Sequence, residues 1–395
     1  PALTVTFIYR EIFRLREMGV DINCVSMNTP AEDEISDEAR PLIRDTVYLD
    51  AASLVAKFAS FFVQMLVSPI RVARCIGIVM SARPMQGSRD YARLIYHLVE
   101  AAYLVRRLDM REYRHIHAHF INGPTSIAMF LSELSGVPFS FTMHASMIWL
   151  DPIAFQNKLE RSAFCASISE FNADYVVGQY GERFREKIRI VHCGIDPEPE
   201  PIELSARKQG EPVRLLGVGQ LNRRKGFHVL IAACESLKDR GIEFHCTIVG
   251  GGEQRDELEE LVDSAGLSDR VSFTGPIKHE AVEQHISDCD LFVLPCVISE
   301  DGWRDGIPVA LMEAMFHRRT TVSSRILGIP ELIEDEVSGR LAEANDAENL
   351  ADIISELAAA PDRCAELAEQ GREKVLAEFN NAKSAAKLAG LFSEP

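Results

Sequence analysis

The sequence predicts an α/β protein built of two Rossmann-like, doubly wound parallel-sheet domains. Its 395 residues exceed the ~250–300 residues that a single hydrophobic core supports, so two domains are expected. Strand-like and helix-like segments alternate in both halves, which is the pattern of βαβ units in a parallel sheet. Between the halves, residues 196–212 contain four Pro and four Glu without apolar periodicity, and this composition indicates a linker.

In the first half, apolar spacing predicts a helix over Thr6 to Met18 that ends at Gly19. It also predicts two long helices, over residues 53–80 and 88–107, and a helix that follows a Gly-Pro turn and runs to Leu134. The strands predicted in this half are Val20 to Ser26, His115 to Phe120, Phe139 to His144 and Ala166 to Ile168.

The second half repeats the pattern more regularly. Its predicted strands are Val213 to Val218, Glu243 to Val249, Val271 to Thr274 and Leu291 to Pro295. Its predicted helices are Phe227 to Arg240, Gln254 to Ala265, Glu280 to Ser287 and Val309 to His317. Because open parallel sheets bind ligands at the carboxyl ends of their strands, we expect the site there, in a central cleft that the two domains face.

Composition excludes several classes of protein. Hydrophobic residues make up 47% and charged residues 26%, which is typical of a globular chain and not of a disordered one. The net charge of −17 argues against a general nucleic-acid binder, which needs basic residues for the phosphates. Nine scattered Cys without a CxxC pair indicate reduced thiols in a cytoplasmic protein. We see no signal peptide, and the apolar stretch from Phe58 to Pro69 is too short to span a membrane.

The segment Asp305-Gly306-Ile307-Pro308-Val309-Ala310-Leu311-Met312-Glu313 is the strongest candidate site. Two carboxylates stand eight residues apart, and Pro308 is favoured in the first turn of a helix. The free N–H groups at a helix N-terminus suit a diphosphate, and Glu313 could accept hydrogen bonds from ribose hydroxyls. An ordinary amphipathic helix with a solvated Glu explains the spacing alone about equally well.

This segment and several further stretches of the sequence resemble one known protein family. Together they resemble the family 4 retaining glycosyltransferases of the GT-B fold, and the first half is most similar to the exopolysaccharide, or colanic-acid-type, subgroup. The stretches are Pro1 to Ile12, His117 to Phe120, Phe141 to Ala145, Ser169 to Asn172, Val191 to Asp196, Val218 to Leu221, Lys225 to Phe227, Ile248 to Gly252, Phe273 to Gly275, Met312 to Met315, Gly328 to Ile333 and Gly339.

The resemblance implies a role for each matching residue. Lys225 would contact the donor diphosphate, Asp305 the transferred sugar and Glu313 the ribose, and the backbone of Gly306, Ile307 and Pro308 would face the sugar and phosphate. His144 would lie against the sugar and act with Lys225 and Asp305 in catalysis. The remaining donor-side residues would be Gly219, Gln220, Arg224, Gly251, Pro276 and Ile277, and the acceptor-side residues His119 and Thr6.

The resemblance also implies the division of labour between domains. Residues 1–196 would bind the acceptor, 197–212 would be the linker, and 213–377 would bind the nucleotide sugar. Residues 378–395 would form a helix that crosses back to the first domain. Because the family usually has a strand before the segment matching Pro1 to Ile12, we expect that the first sheet lacks a strand and that the natural start precedes Pro1.

The sequence departs from the family pattern at a few positions. Gln220 replaces the usual phosphate-binding Arg, although Arg223 and Arg224 are close, and Asp305 replaces a longer Glu. Phe316 to Thr320 lacks the usual Gly and Pro, Ser146-Met147 replaces Lys-Asp, and Val5 replaces a Glu. For His117 and His119, on one strand, we expect side chains on opposite faces, with at least one of them structural.

Two charge features have less specific interpretations. Asp288-Cys289-Asp290 imitates an Asp-x-Asp metal motif, but acids at a helix-to-strand junction are usually solvated, and we predict no bound metal. Residues 57–114 hold ten Lys and Arg but four acids, beside an apolar run from Phe58 to Leu66. Such a region suits docking on an anionic membrane surface, and a helix pair with a solvated basic face fits as well.

The sequence therefore predicts a metal-independent, retaining glycosyltransferase that uses a nucleotide-sugar co-substrate and no other cofactor. The acceptor would be a saccharide or a lipid-linked saccharide of polysaccharide, exopolysaccharide or glycolipid biosynthesis. The protein would be cytoplasmic and peripheral on the inner face of the membrane, with no nucleic-acid partner. Two alternatives stay open: a non-catalytic nucleotide-sugar-binding protein of the same fold, and an enzyme similar to sugar-nucleotide epimerases.

Overall fold

The computed structural model describes residues 6–31, 35, 39–85, 87–144, 148–149, 152–197, 202–205, 207–208 and 210–393. The chain divides into two compact units. An N-terminal unit comprises Pro1–His192 together with Ser384–Pro395, and a C-terminal unit comprises Cys193–Lys383. Each unit has its own parallel sheets covered by helices, which confirms the α/β fold class.

The N-terminal unit contains two parallel sheets. One has two strands, β1 and β2, and the other has four strands in the order β3-β4-β5-β6. These strands are β1 (Cys24–Ser26), β2 (Thr46–Tyr48), β3 (Ile116–His119), β4 (Phe139–Met143), β5 (Cys165–Ser167) and β6 (Ile188–Ile190). Its helices are α1 (Thr6–Glu17), α2 (Arg40–Asp45), α3 (Leu54–Val67), α4 (Pro69–Ser81), α5 (Ser88–Arg107), α6 (Gly123–Ser135), α7 (Phe155–Arg161) and α8 (Glu170–Tyr180).

The core of this unit forms where the fully buried strand β4 meets the helices around it. Phe139 and Phe141 on β4, Phe130 on α6 and Leu98 on α5 are all at most 1% exposed and belong to one apolar cluster. Burial on both faces is expected for a central parallel strand, because helices cover both sides of the sheet.

The last helix of the chain belongs partly to this unit. Helix α16 (Asn381–Phe392) ends the described part of the chain, and Ala385, Leu388 and Leu391 are buried in a cluster with Leu15 and Phe164 of the N-terminal unit. The C-terminal end of the chain therefore contributes to the core of the N-terminal unit.

The long helix predicted over residues 53–80 is wrong in one respect. The structure has two helices there, α3 and α4, which meet at Ser68 and Pro69 with a bend of 116°. The break lies at Pro69, which lacks a backbone N–H and therefore starts a helix well but cannot continue one. No single helix in the described part of the chain is long and apolar enough to cross a membrane, although α3 and α4 would pass that test as a bent pair.

The C-terminal unit contains one six-stranded parallel sheet in the order β12-β11-β10-β7-β8-β9. The strands are β7 (Val213–Val218), β8 (Phe244–Val249), β9 (Val271–Gly275), β10 (Leu291–Leu294), β11 (Thr320–Ser324) and β12 (Arg340–Ala342). The helices are α9 (Phe227–Asp239), α10 (Arg255–Ser264), α11 (His279–Asp288), α12 (Val309–Phe316), α13 (Ile329–Leu332), α14 (Ala347–Ala359) and α15 (Pro361–Glu378). The strand order reverses between β7 and β10, which makes that point the topological switch of a doubly wound sheet.

The segment predicted as a linker is attached to the C-terminal unit along its described residues. The backbone N–H of Ile202 donates to the His317 ring, and that of Ser205 donates to the Ser287 carbonyl. The Arg207 guanidinium donates to the Ala358 carbonyl. These bonds fix the segment against the unit, although its sequence has no helical or strand periodicity.

Candidate functional site

Two loops meet at the carboxyl edge of the C-terminal sheet, where the strand order reverses. The loop after β7 and the loop after β10 are joined by a hydrogen bond from the Val297 N–H to the Arg224 carbonyl, 2.9 Å long. Gly226, with φ of +68°, lies so close to the Pro295 carbonyl oxygen that an added Cβ would be 1.9 Å from it. A glycine is required there by both the left-handed backbone and the close approach.

This meeting of loops brings three predicted site residues into one charged cluster. Lys225 Nζ lies 2.8 Å from Asp305 Oδ2, and the Arg224 guanidinium lies 3.3 Å from Asp305 Oδ1. The side chains of Lys225 and Asp305 are only 17% and 20% exposed. These three side chains together carry one net positive charge, which suits an anionic ligand.

The protonation of Lys225 follows from this arrangement. Burial is the largest single influence on the pKa of Lys225 and lowers it. The charge of Asp305, its hydrogen bond and the nearby Cys296 together outweigh burial, and the pKa is raised above its ordinary value. Lys225 is therefore charged at physiological pH. The Arg224 guanidinium also lies over the Trp303 ring, 5.8 Å from its centroid, and Trp303 thereby helps to hold Arg224 in place.

The loops after β7, β8 and β9 continue the same edge as exposed backbone. Gly219 donates to the Val249 carbonyl over 3.0 Å and Gly250 to the Gly275 carbonyl over 3.1 Å. An added Cβ on Gly251 would be 3.2 Å from the Pro276 ring. Gly219, Gly251 and Pro276, predicted to bind the donor, therefore lie on adjoining loops where a ligand can approach the main chain closely.

The other predicted donor residues lie on or beside this edge in different ways. Ile307 is buried, and Ile277 packs against the core, so these two side chains support the loops. The Gln220 side chain accepts a hydrogen bond from Asn222 over 3.2 Å, while Arg224 contacts Asp305. Arg223, which sequence reasoning offered as a nearby cation, instead pairs with Glu257 on α10.

Helix α12 begins directly after this cluster. Pro308 is its N-cap residue, and the helix runs over Val309–Phe316, so its first N–H groups lie just beyond Gly306 and Ile307. Glu313 lies just over one turn into the helix and is half-buried. Both carboxylates of the motif thus lie in one short loop-and-helix segment after β10.

In the N-terminal unit, four histidines cluster on one face of the sheet. His115, His117 and His119 lie two residues apart on and beside β3, and the rings of His117 and His119 are 5.1 Å apart. The expectation that His117 and His119 face opposite ways is wrong, because residues two apart on a strand share a face. Their side chains pack together, with His144 against His119.

His119 and His144 are directly linked to each other and to a carboxylate. His119 Nδ1 lies 3.2 Å from His144 Nε2, and His119 Nε2 lies 3.2 Å from Glu11 Oε1. An ionised carboxylate only accepts, so His119 donates to Glu11 from Nε2, and its Nδ1 shares a hydrogen bond with His144 Nε2. These contacts hold the rings of His119 and His144 in a fixed orientation.

His144 is 7% exposed and packs against the aromatic rings of Phe7 and Phe120, whose centroids are 4.8 and 4.9 Å from its own. Burial, and after it the charge of His119, hold the pKa of His144 well below its ordinary value. The ring is therefore neutral near pH 7. Thr6 begins α1, but its side chain lies outside the described residues, as do Val5 and residues 145–147.

The histidine cluster also contains groups at metal-ligand spacing. Glu11, His117 and His119 each offer a ligand atom, and these atoms lie within 4.8 Å of one another. Both ring nitrogens of His117 already contact hydroxyl groups, Ser140 Oγ at 2.7 Å and Thr142 Oγ1 at 2.9 Å. These contacts give His117 a structural role, and the absence of a bound metal stays a prediction.

The Asp288-Cys289-Asp290 triplet has structural partners at the amino end of β10. Asp288 accepts hydrogen bonds from Ser205 and Gln284. Asp290 pairs with Arg214 over 2.7 Å. Both carboxylates are engaged in holding the start of the sheet together.

Sequence reasoning missed two residues of these clusters, Glu11 and Trp303. Glu11 lies on α1 with no sequence signal that links it to His119 on β3. Trp303 could have been noticed, because it is one of two Trp in the chain and lies two residues before Asp305. Contacts between residues far apart in sequence, such as Glu11 with His119, depend on how the chain folds. The spacing of residues in the sequence does not predict them.

Comparison with known proteins assigns the family. A family model described as Glycosyltransferase Family 4 matches residues 4–199, and one described as Glycosyl transferases group 1 matches residues 200–374. The chain belongs to the family 4 glycosyltransferases. The two family models divide the chain within the segment predicted as a linker.

Curated relatives include two bacterial proteins named as glycosyltransferases of polysaccharide biosynthesis. The chain is 38% identical over 204 residues to the amylovoran biosynthesis glycosyltransferase AmsK of Erwinia amylovora, covering 52% of this chain and 50% of that protein. It is 37% identical over 211 residues to the putative colanic acid biosynthesis glycosyltransferase WcaL of Escherichia coli, covering 52% of this chain and 51% of that protein. The chain thus spans about half the length of the curated relatives it matches.

Solved structures agree with the fold of a family 4 glycosyltransferase, the GT-B fold. A glycosyltransferase from Rickettsia africae aligns over 99% of this chain and 96% of its own, with a TM-score of 0.71 and 15% identity. Anabaena HepE, solved in complex with UDP and glucose, aligns over 74% of this chain and 80% of its own, with a TM-score of 0.60 and 18% identity. At these identities the likeness concerns the fold alone.

Proposed function

We propose that this protein is a retaining, metal-independent glycosyltransferase that uses a nucleoside-diphosphate sugar. The observation that carries the proposal is the Lys225–Asp305–Arg224 cluster at the switch point of the C-terminal sheet. Its position at the start of α12 and its surplus of positive charge suit the diphosphate of such a donor. Relatives named for amylovoran and colanic acid biosynthesis favour a role in exopolysaccharide or glycolipid synthesis.

The donor would lie along the carboxyl edge of the C-terminal sheet. Lys225 and Arg224 would offset the charge that grows on the departing diphosphate, which is where electrostatic catalysis acts. Glu313 would accept hydrogen bonds from the ribose, and the main chain of Gly306 to Pro308 would face the sugar. The base would lie near Gly251, Pro276 and Ile277, held mainly by backbone groups.

The proposed chemistry needs no general base from the protein. The acceptor hydroxyl would attack on the face that the diphosphate leaves, and a phosphate oxygen of the donor would take the proton. The C1–O bond to the diphosphate breaks and the new C1–O bond forms on the same face, so the anomeric configuration is kept. The protein contributes orientation and charge stabilisation.

In the N-terminal unit, we propose that the neutral ring of His144 contacts a hydroxyl group of the sugar or acceptor. The contacts of His144 with His119 and of His119 with Glu11 support a fixed orientation of this ring. Glu11 would then be a positioning residue, because it acts through His119. The acceptor would be a saccharide or a lipid-linked saccharide, bound by this unit.

We also propose that the protein works in the cytoplasm at the inner face of a membrane. The nine cysteines are free thiols, and six of them are buried. Free thiols persist in a reducing compartment, where disulfides are rare. A lipid-linked acceptor would bring the protein to the membrane surface.

A nucleotide-release assay tests this function. The full chain is incubated with UDP-, GDP- and ADP-sugars, with and without lipid-linked saccharides, and released nucleotide is measured with and without EDTA. We expect acceptor-dependent release from one donor class, unaffected by EDTA, and its loss in Glu313→Ala. Glu366→Ala is the matched control, since Glu366 on α15 is 67% exposed and far along the chain from the motif.

The products distinguish the alternatives. An α-sugar donor that gives an α-linked product by NMR supports retention, and a β-linked product contradicts it. Tight donor binding without release under any condition favours a non-catalytic nucleotide-sugar-binding protein. Conversion of the donor to its epimer, without transfer, favours the epimerase-like alternative.

A further inference from the structure

Helix α3 has its polarity inverted relative to an ordinary surface helix. Its two buried side chains are polar, Lys57 and Gln64, at 2% and 3% exposure. Phe61 packs against the core, but the other large apolar side chains of α3 face outward. They are Leu54, Val55, Phe58, Phe62, Val63, Met65, Leu66 and Val67, and the most exposed, Leu66, is 83% accessible.

A buried ion pair holds α3 in this orientation. Lys57 Nζ lies 2.9 Å from Glu100 Oε1 on α5 and donates to the Tyr96 hydroxyl over 2.9 Å. The side chains of Lys57 and Glu100 are 2% and 4% exposed. Rotating α3 to bury its apolar face would separate these charges and leave Glu100 buried without its partner, which is strongly unfavourable. The apolar face is therefore fixed outward by the fold.

Helix α4 extends the same apolar surface across the bend at Pro69. Val72, Cys75, Ile78 and Val79 pack into the core of the N-terminal unit. On the other side of α4, Ile70 and Met80 are 71% and 73% exposed. We call the exposed apolar side chains of α3 and α4 the apolar wedge. So many exposed large apolar side chains on two successive helices are unusual on a protein surface and indicate a binding surface.

The charges around the apolar wedge indicate what it meets. Residues 51–89 contain no Asp or Glu but hold Lys57, Arg71, Arg74, Arg83 and Arg89. Arg74 is 67% exposed, and Arg93, one turn beyond on α5, is 65% exposed. Arg74 lies 3.6 Å from a carboxylate oxygen of Glu133 and Arg93 lies 3.7 Å from one of Asp90, but the arginines outnumber the acids here. Basic side chains beside exposed apolar ones complement a surface that is negative at its face and apolar beneath it. An anionic lipid leaflet has both properties.

We propose that the apolar wedge inserts into the acyl region of an anionic lipid leaflet while the surrounding arginines bind lipid phosphates. The helices would lie in the plane of the interface, because neither is long enough to cross it. The proposal deepens the proposed function by naming where a lipid-linked acceptor is met. Only the link to a lipid-linked acceptor rests on the proposed function. Membrane binding by the wedge is tested without any nucleotide sugar.

Vesicle flotation of the full chain tests the wedge. Vesicles of phosphatidylglycerol and phosphatidylcholine are compared with vesicles of phosphatidylcholine alone. Val55→Ser combined with Leu66→Ser removes two exposed side chains of the wedge and should lower binding at least ~10-fold. The matched control, Leu261→Ser combined with Val337→Ser, removes two exposed apolar side chains of the C-terminal unit, 37% and 43% accessible, and should bind like the wild type.

Insertion is separated from surface attraction by a fluorescent probe. Phe62→Trp places an indole on the wedge, and its emission should be quenched by lipids brominated on their acyl chains. Val337→Trp is the control and should not be quenched. Part of the binding should also persist at about 1 M salt, where the Debye length is only ~3 Å and surface attraction is screened.

Three results would overturn the proposal. One is no binding to anionic vesicles at low salt by a chain that is folded by circular dichroism. Another is equal binding of the wedge variant and the wild type. The third is a concentration-dependent dimer in sedimentation velocity that the wedge variant abolishes, since the wedge would then be covered by a second copy. Nucleotide release with a lipid-free saccharide acceptor is measured in parallel, so loss of vesicle binding is distinguished from loss of transferase activity.

Discussion

Lys225 and Asp305 are eighty residues apart in sequence and 2.8 Å apart in the structure. Resemblance to the family named both residues, but it did not indicate that they pair with each other. The pairing arises because the loops after β7 and β10 leave the sheet at its switch point. The shorter Asp305, found where a Glu is usual, is long enough to contact both Lys225 and Arg224.

Asp305→Asn should change how activity depends on pH. With Asp305, the pKa of Lys225 is raised above its ordinary value of 10.5, so the charged form and its stabilising pair are present below that pH and are lost as pH rises through the raised pKa. Without the carboxylate, burial becomes the dominant influence on Lys225 and lowers its pKa. We expect the alkaline limb of kcat/KM to move to lower pH, and an unmoved limb would contradict this role of Asp305.

Lys158 should make the N-terminal unit more stable as pH rises. Its ammonium is fully buried, donates to the Ile121 and Asn122 carbonyls, and has a pKa lowered by burial from 10.5 to about 7. Between these values the unfolded chain binds more protons than the folded chain, so the free energy of unfolding increases by up to about 1.4 kcal/mol per pH unit.

Urea unfolding of the wild type and of Lys158→Met at several pH values between 7 and 9 measures this effect. The comparison between the two removes the contributions of other titrating groups. The difference in unfolding free energy should change in favour of the wild type as pH rises. A difference that does not change with pH would show that Lys158 keeps its ordinary pKa.

At the scale of elements, the loop after β7 is shaped by one glycine contact. Gly226→Ala places a Cβ on a left-handed residue and against the Pro295 carbonyl, 1.9 Å away. Gly241 is a matched control, because its φ is +71° and no atom lies within 4 Å of its added Cβ. Gly241→Ala should cost about 1 kcal/mol of stability.

Gly226→Ala should cost more than Gly241→Ala, because the loops after β7 and β10 must also separate. The separation would displace Lys225 from Asp305, so donor affinity should fall together with stability. Chemical denaturation gives the free energies of unfolding, and titration with the nucleoside diphosphate gives the affinities. Equal costs at the two positions, with unchanged affinity, would show that the contact with Pro295 is not needed.

The inverted helix α3 gives a second prediction for an element. Lys57→Met leaves Glu100 buried without its cation, which should destabilise the chain by about 3–5 kcal/mol. Combining Lys57→Met with Glu100→Leu should recover much of that loss, because an apolar pair of similar volume replaces the ion pair. If Lys57→Met were as stable as the double variant, burying Glu100 would not require the charge of Lys57.

At the scale of the whole molecule, sequence patterns predicted the two-domain α/β architecture and most of the second sheet. Strand β7 (Val213–Val218) was predicted with its observed bounds, because its run of apolar residues is long enough to be recognised as a strand. The shorter strands β2, β6 and β12 have three residues each, too few for a visible alternation. Hydrophobic periodicity marks long buried elements well and short edge elements poorly.

The candidate site was predicted one residue at a time, and the structure adds the partnerships between residues. The motif after β10 and Lys225 were named from the resemblance, whereas the contacts of Glu11 with His119 and of Arg224 with Trp303 follow from folding. The misplacement of His117 and His119 on opposite faces was avoidable, since strand geometry alone puts them on one face. The polarity of α3 was hidden for another reason: composition shows that a helix is apolar and basic, but not which of its faces is buried.

The central claim is that the Lys225–Asp305–Arg224 cluster holds a donor diphosphate. Calorimetric titration with UDP, GDP and ADP is the most direct test of this claim. The wild type should bind one of the three, and Lys225→Ala should weaken that binding about tenfold or more, as expected for a lost charged contact. Lys374→Ala, which removes a lysine paired with Glu378 on α15, should bind like the wild type. Equal affinity of the wild type and Lys225→Ala for that diphosphate would contradict the account.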